Sequence, residues 1–225
     1  MNARQKFEVA LSHIPLVAIL RGLPAHEALA VGEALTSTGW SLIEVPLNSP
    51  DPLNSITTLA SNFPQALVGA GTVLTPADVR NVHAAGGQLI VSPNFNEAVV
   101  REAVRLGLIC VPGVMTATEA FAALAAGATG LKLFPAEMIS PAVVRALRAV
   151  LPADTRLLPV GGITPENMSQ YIAFGASGFG IGSALYKPAM TASQVRAQAM
   201  RFISACAERS STLVEPAEHM QSKPA

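Results

Sequence analysis

The chain has 225 residues, half of them hydrophobic and 13% charged, with 15 Lys and Arg balanced by 15 Asp and Glu for a formal net charge of zero. So much apolar area excludes disorder of the chain as a whole, and zero net charge supplies no electrostatic basis for a nucleic-acid or anionic-lipid partner. Mean hydropathy is +0.41, yet no apolar run approaches the roughly 20 residues of a spanning helix and residues 1–6 are too polar for a signal peptide, so a cytoplasmic protein is expected.

Taken in chain order, residues 2–12 predict a helix that closes the bottom of the fold. Short apolar runs then recur at 16–20, 42–46, 66–69, 89–92, 109–111, 130–134, 156–160 and 178–181, each followed by an Ala-rich stretch with helical periodicity. That alternation is the pattern of repeated βα units. Three helices carry a hydroxyl followed by a first-turn proline: Thr75-Pro76, Ser140-Pro141 and Thr164-Pro165, a start signal in which the hydroxyl caps free N–H groups. Glycines at 39, 86, 87, 107, 127 and 175 mark helix ends before the next strand. The strand runs are apolar throughout, as parallel strands covered by helices require.

Eight such units predict an α/β fold of the (β/α)8 TIM-barrel type with an extra N-terminal helix. An open doubly wound sheet is the alternative, though the first strand is not followed by the glycine fingerprint of dinucleotide folds. Residues 1–209 are expected to form a single domain. From about Ser210 the sequence turns polar and loses periodicity, which predicts a disordered tail over 210–225.

In a barrel the active site lies at the C-terminal ends of the strands, so charged residues in or just after the apolar runs carry the information. Of the four lysines, Lys6 and Lys223 lie near the termini and Lys187 follows the last strand. Lys132 stands alone inside an apolar run, Gly130-Leu-Lys-Leu-Phe-Pro135. Nearly all carboxylates fall in helices, helix starts or the tail, whereas Glu44 sits in the strand Leu42-Ile-Glu-Val-Pro46. On the second and sixth predicted strands they share parity and can meet in one interior layer. One reading is a structural buried ion pair, but such a pair costs desolvation and contributes little net stability. The other is imine chemistry: desolvation yields a neutral amine that attacks a carbonyl, and the carboxylate moves protons. Arg21, directly after the first strand, is either a surface arginine or a bidentate clamp for a carboxylate.

Glycine clusters end the last two strands, Val160-Gly-Gly-Ile-Thr-Pro165 and Gly178-Phe-Gly-Ile-Gly-Ser183. Either could relieve crowding at a turn, but together they occupy the place where barrels bind phosphate through backbone N–H groups. His13, His26, His83 and His219 are scattered away from strand ends, so neither a metal centre nor a Ser-His-Asp triad is expected, and no cofactor is called for. Cys110 and Cys206 lack metal-ligand spacing and are expected to be reduced. Lysine, glutamate, arginine and glycine loops together specify a phosphorylated keto acid.

These residues resemble the class I 2-keto-3-deoxy-6-phospho-sugar-acid aldolases over roughly 15–207. The motifs are Ile43-Glu-Val-Pro-Leu47, Val68-Gly-Ala-Gly-Thr-Val73, Val91-Ser-Pro-Asn94, Pro112-Gly113, Leu131-Lys-Leu-Phe-Pro135, Val160-Gly-Gly-Ile-Thr-Pro-Glu-Asn167 and Gly180-Ile-Gly-Ser183. The resemblance implies Lys132 as Schiff-base lysine and Glu44 as general acid/base. It also implies Thr72 at the substrate carboxylate and Phe134 against the pyruvyl group, with Gly161, Gly162, Gly182 and Ser183 at the phosphate. Asn48 and Val160 stand where the family's gluconate branch carries Arg and Thr, which is similar to the galactonate branch and there implies Arg21 at the substrate carboxylate. The resemblance further implies a homotrimer and cleavage to pyruvate and D-glyceraldehyde 3-phosphate. A gluconate-series or dual specificity, and an isomerase or epimerase on the same barrel, are the alternatives.

Overall fold

A computed structural model describes residues 1–212, and side-chain burial for residues 1–207. Its strands are β1 (Leu16–Ile19), β2 (Leu42–Pro46), β3 (Leu67–Gly71), β4 (Leu89–Val91), β5 (Ile109–Val111), β6 (Gly113–Val114), β7 (Leu131–Leu133), β8 (Leu157–Pro159) and β9 (Phe179–Ile181). The helices are α1 (Ala3–His13), α2 (Ala28–Thr36), α3 (Pro52–Asn62), α4 (Pro76–Ala84), α5 (Glu97–Arg105), α6 (Ala117–Ala125), α7 (Pro141–Val150), α8 (Met168–Ala173) and α9 (Ala192–Thr212). All eight predicted strands are present, and after the fifth a further short strand, β6, follows Pro112. Proline has no N–H for the ladder, but the Pro112 carbonyl still accepts a 2.9 Å bond from the Lys132 N–H, so pairing with β7 survives the break.

Six strands form a parallel sheet in the order β5-β4-β3-β2-β1-β9, and β6-β7-β8 form a second parallel sheet. One parallel bridge, Val160 to Gly180, links the end of β8 to β9. Side chains alternate between the two faces of each strand, and the core divides accordingly. Ala18, Ile43, Val45, Val68, Ile90, Cys110, Leu131 and Leu133 pack in the cluster shared with the helices. Val17, Leu42, Leu67, Leu89, Val91, Ile109, Val111 and Leu158 form a second cluster on the concave side, together with Phe7, Ala10 and Leu11 of α1.

Helix α1 thus seals one end of the concave face. Asn2 and Gln5 form a capping box at its start. Lys6 donates to Gln88 just before β4, and Arg156 just before β8 pairs with Glu8 at 2.7 Å. Both anchors precede strands, so the sealed end is the N-terminal one and the opposite end stays open for chemistry.

Helix starts follow their chemistry unevenly. Thr75 with Asp78 and Thr116 with Glu119 form full capping boxes. Ser140 occupies the cap of α7 without a side-chain bond. The Thr164-Pro165 signal opens a turn, and α8 begins only at Met168. Asn167 explains the delay: its side chain accepts from the Thr164 N–H and donates to the Gly162 carbonyl, tying the glycine loop to the helix entrance. Helix α9 runs through Thr212, three residues beyond the predicted domain end at 209. The rest of the predicted tail lies outside the described residues. No helix among the described residues is long and apolar enough to cross a membrane.

Arg148 on α7 holds the closed end together. Its guanidinium donates to the carbonyls of Thr155 at 2.7 Å and Gly175 at 2.8 Å, and also to the Ala153 carbonyl and the Ser177 hydroxyl. These groups sit in the loops that lead into β8 and β9. Arg148→Met keeps the aliphatic stem and removes the donors, leaving carbonyls unpaired. It is expected to lower unfolding stability by about 2–3 kcal/mol in urea titrations; a change within error would show that water replaces the guanidinium without loss.

Candidate active site

Strand alternation decides which side chain enters the site. On β2, Ile43 and Val45 face the helices, so Glu44 points to the concave side; on β7, Leu131 and Leu133 do the same for Lys132. Glu44 is 1% exposed and Lys132 is 5% exposed, among Val17, Val91, Val111 and Leu158. The Glu44 Oε2 is buried without a hydrogen-bond partner. Lys132 Nζ lies 4.7 Å from the centroid of the Phe134 ring, which fixes its position.

Burial dominates the acid–base behaviour of both groups. It raises the Glu44 pKa above the ordinary carboxylate value, opposed by the positive charges of Lys132 and Arg21. It lowers the Lys132 pKa below that of an ordinary lysine; Glu44 opposes that change and Arg21 adds to it. The apolar layer therefore pushes the carboxyl toward its acid form and the amine toward its neutral form.

Arg21 lies at the C-terminal end of β1, exposed, and its Nη1 donates to Asn48 Oδ1 at 2.7 Å. The arginine is thereby held over the Glu44 strand by the residue four places after Glu44. A cavity of about 360 Å³ brings together Arg21, Lys132, Phe134 and Val160 with Gly161, Gly162, Gly182 and Ser183. Gly161 and Gly162 have φ of 111° and 61°, a backbone region that favours glycine. Gly180 admits no side chain, because a Cβ there would lie 2.7 Å from Val160 Cγ2.

Glu44 itself does not line that larger cavity; it meets Lys132, Val160 and Gly180 in the small apolar recess adjoining it. Thr72 is outside both. It follows Gly71 at the end of β3 with φ 57°, an uncommon conformation for a β-branched residue that costs about 1–3 kcal/mol and marks functional positions.

Two charged residues of the cavity are not among the site residues expected from the sequence. Glu137, in the short 3-10 helix after β7, packs its carboxyl against Gly161, and Lys187 lines the cavity beyond the Gly182-Ser183 turn. Their signal is positional: both are charged residues a few places after a strand that already carries site residues. Among the described residues no group of three His, Cys, Asp or Glu converges as a metal site. Cys110 packs on the helix side of β5, its thiol pushed up to about 12 by burial.

With that geometry in place, comparison with known proteins becomes specific. Residues 7–202 match the family model described as KDPG and KHG aldolase. The chain belongs to this family of aldolases, carbon–carbon lyases. A probable 2-dehydro-3-deoxy-6-phosphogalactonate aldolase of Rhizobium meliloti is 51% identical over 192 residues, 85% of this chain and 91% of the relative. The 2-dehydro-3-deoxy-6-phosphogalactonate aldolase of Escherichia coli is 45% identical over 87% of this chain and 96% of its own length. A KHG/KDPG aldolase of the same species is 32% identical over 76% of this chain and 81% of its own. A solved structure described as native KDPGal superposes with a TM-score of 0.86 at 45% identity, covering 88% of this chain and 97% of that one.

In this aldolase, Gly71 leaves room for the Glu44 carboxyl, since a Cβ at position 71 would lie 2.9 Å from Glu44 Cδ and closer still to Oε1. Gly71→Ala is expected to displace that carboxyl and lower aldol turnover about 100-fold, with a fold intact by circular dichroism. Turnover within a factor of three of wild type would mean that the carboxyl position is not what matters.

Proposed function

We propose that this aldolase cleaves 2-dehydro-3-deoxy-6-phospho-D-galactonate to pyruvate and D-glyceraldehyde 3-phosphate through a Schiff base on Lys132. The observation that carries the reading is one buried amine and one buried carboxyl sharing an apolar recess that opens onto a cavity with two glycine loops. Its relatives at 51% and 45% identity bear that substrate in their names, against 32% for the KHG/KDPG relative.

Neutral Lys132 Nζ attacks the C2 ketone, and the carbinolamine loses water as Glu44 passes protons, leaving a protonated imine. Glu44, through a water molecule, takes the C4 hydroxyl proton as the C3–C4 bond breaks. The bond's electrons flow into the imine, so D-glyceraldehyde 3-phosphate leaves and an enamine stays on Lys132. Protonation at C3 and hydrolysis then release pyruvate. The burial that depresses the Lys132 pKa enlarges the fraction of amine able to attack, and the burial that raises the Glu44 pKa lets it donate as well as accept.

In this reading Arg21, held by Asn48, receives the substrate carboxylate with Thr72 near it, and Phe134 packs on the pyruvyl group. Gly161, Gly162, Gly182 and Ser183 take the phosphate. Val160 offers no hydroxyl beside C4, which favours the epimer that does not need one. The scaffold we assign is a closed (β/α)8 barrel in one domain; its support is the sequence of parallel pairings round both sheets together with the Val160–Gly180 bridge. A homotrimer fits the large apolar side chains left exposed, Leu74, Val104 and Phe121 among them. A cytoplasmic location fits a substrate bearing both a carboxylate and a phosphate, which does not cross a bilayer unaided.

Borohydride reduction in the presence of pyruvate tests the imine. A reduced pyruvyl adduct on the Lys132 peptide is the expected mass-spectrometric result, and an unmodified Lys132 would remove the mechanism and favour an isomerase-type use of Glu44. Glu44→Gln is expected to lower kcat by about 10²–10⁴ while substrate still binds; near-normal kcat would take Glu44 out of its role. The ratio of kcat/KM on the two C4 epimers separates the galactonate from the gluconate series.

A further inference from the structure

We propose that Lys187 is the charged partner of the substrate phosphate, a specificity residue that makes the cavity select phosphorylated over unphosphorylated sugar acids. The proposal rests on the aldolase reading for the identity of the substrate but stands on its own geometry.

Phosphate cradles built from backbone N–H groups carry only partial positive charge. Here the cradle is also opposed by a carboxylate. A Cβ placed on Gly161 would lie 2.9 Å from Glu137 Cδ, and one on Gly162 would lie 3.0 Å from Glu137 Cγ. Glu137 is exposed and makes no hydrogen bond or ion pair. A phosphate dianion entering this loop therefore meets a negative neighbour, and a cation is needed to offset it.

Three cations line the cavity: Arg21, Lys132 and Lys187. Arg21 is bonded to Asn48, and Lys132 sits in the apolar recess over the Phe134 ring. Lys187 is left. Among residues with described side chains, every other Lys and Arg has a side-chain hydrogen bond, ion pair or ring contact. The Lys187 ammonium has none; its backbone alone is held, its N–H donating to Met190 Sδ at 3.2 Å. The Leu185 and Tyr186 N–H groups both bond the Gly182 carbonyl, a turn that sets Lys187 just beyond Ser183. An unpaired lysine lining the same cavity as the two glycine loops and the unpaired Glu137 carboxylate is the arrangement an incoming dianion completes. Charge-assisted bonds from Lys to phosphate are among the stronger polar contacts.

The test compares wild type, Lys187→Met and Lys187→Arg. Calorimetric titration with inorganic phosphate needs no turnover and reads the site directly. Lys187→Met is expected to weaken phosphate binding about five- to tenfold and to raise KM for the phosphorylated substrate by a similar factor, with Lys187→Arg within twofold of wild type. Borohydride trapping with pyruvate alone, which involves no phosphate, is expected to proceed at the wild-type rate in all three. Phosphate affinity within twofold of wild type in Lys187→Met would overturn the proposal. So would a parallel loss of pyruvate trapping, which would mark a general disturbance of the site. Absence of trapping in the wild type would sink the Schiff-base mechanism alone, since the phosphate titrations still decide the role of Lys187.

Discussion

Desolvation of one amine and one carboxyl is the constraint on which the rest of the molecule depends. Ionised groups are unfavourable in an apolar interior, so Lys132 and Glu44 can stay there only if the surrounding layer holds them apart from water while leaving a path to the cavity. The concave cluster and helix α1 provide the dry side. The cost falls on stability, because a buried polar pair seldom contributes as much as apolar side chains of the same volume. The unpartnered Glu44 Oε2 and the left-handed backbone at Thr72 are local signs of that cost. Both lie at the active end, as does the close approach of Gly71 to Glu44.

The two ends of the strands divide the labour. At the N-terminal end, Arg148 and the Arg156–Glu8 pair tie loops to helices, and α1 fills the concave face. At the C-terminal end, capping boxes and Asn167 tie the loops down, while the cavity's charged groups face open space. Among these Arg21 is positioned by Asn48, so that its charge acts on both buried groups. This separation leaves the loops free of the core's packing, with Asn48 and Val160 at the open end.

Charge in that open end is graded with depth. Deepest is the Lys132–Glu44 pair, where burial controls protonation; at the rim are the exposed Arg21, Glu137 and Lys187, where solvent screens. A substrate with an anion at each end suits such a gradient. Its carbonyl must reach the dry recess while its charged ends stay where cations and N–H groups are.

Much of this was legible along the chain. The eight apolar runs, the glycine stops and the alternation of strand with helix follow from local chemistry, and Glu44 and Lys132 stand out because so few charges occur in strands. The glycines at 161, 162 and 182 and the start of α4 at Thr75 are local in the same sense. Other features depend on neighbours distant in sequence. Pro112 separates β5 from β6 because it lacks an N–H, and the entrance of α8 waits for Asn167, which bonds the Gly162 loop. Arg21 finds Asn48 across 27 positions, Glu137 rests on Gly161, and Lys187 is left without a partner. By itself the sequence determined the order of elements and singled out the two charged groups inside strands, since periodicity and polarity are properties of short segments. Only the tertiary structure decided how dry those groups are and which cations are already engaged, because burial and pairing are set by what the folded chain brings alongside.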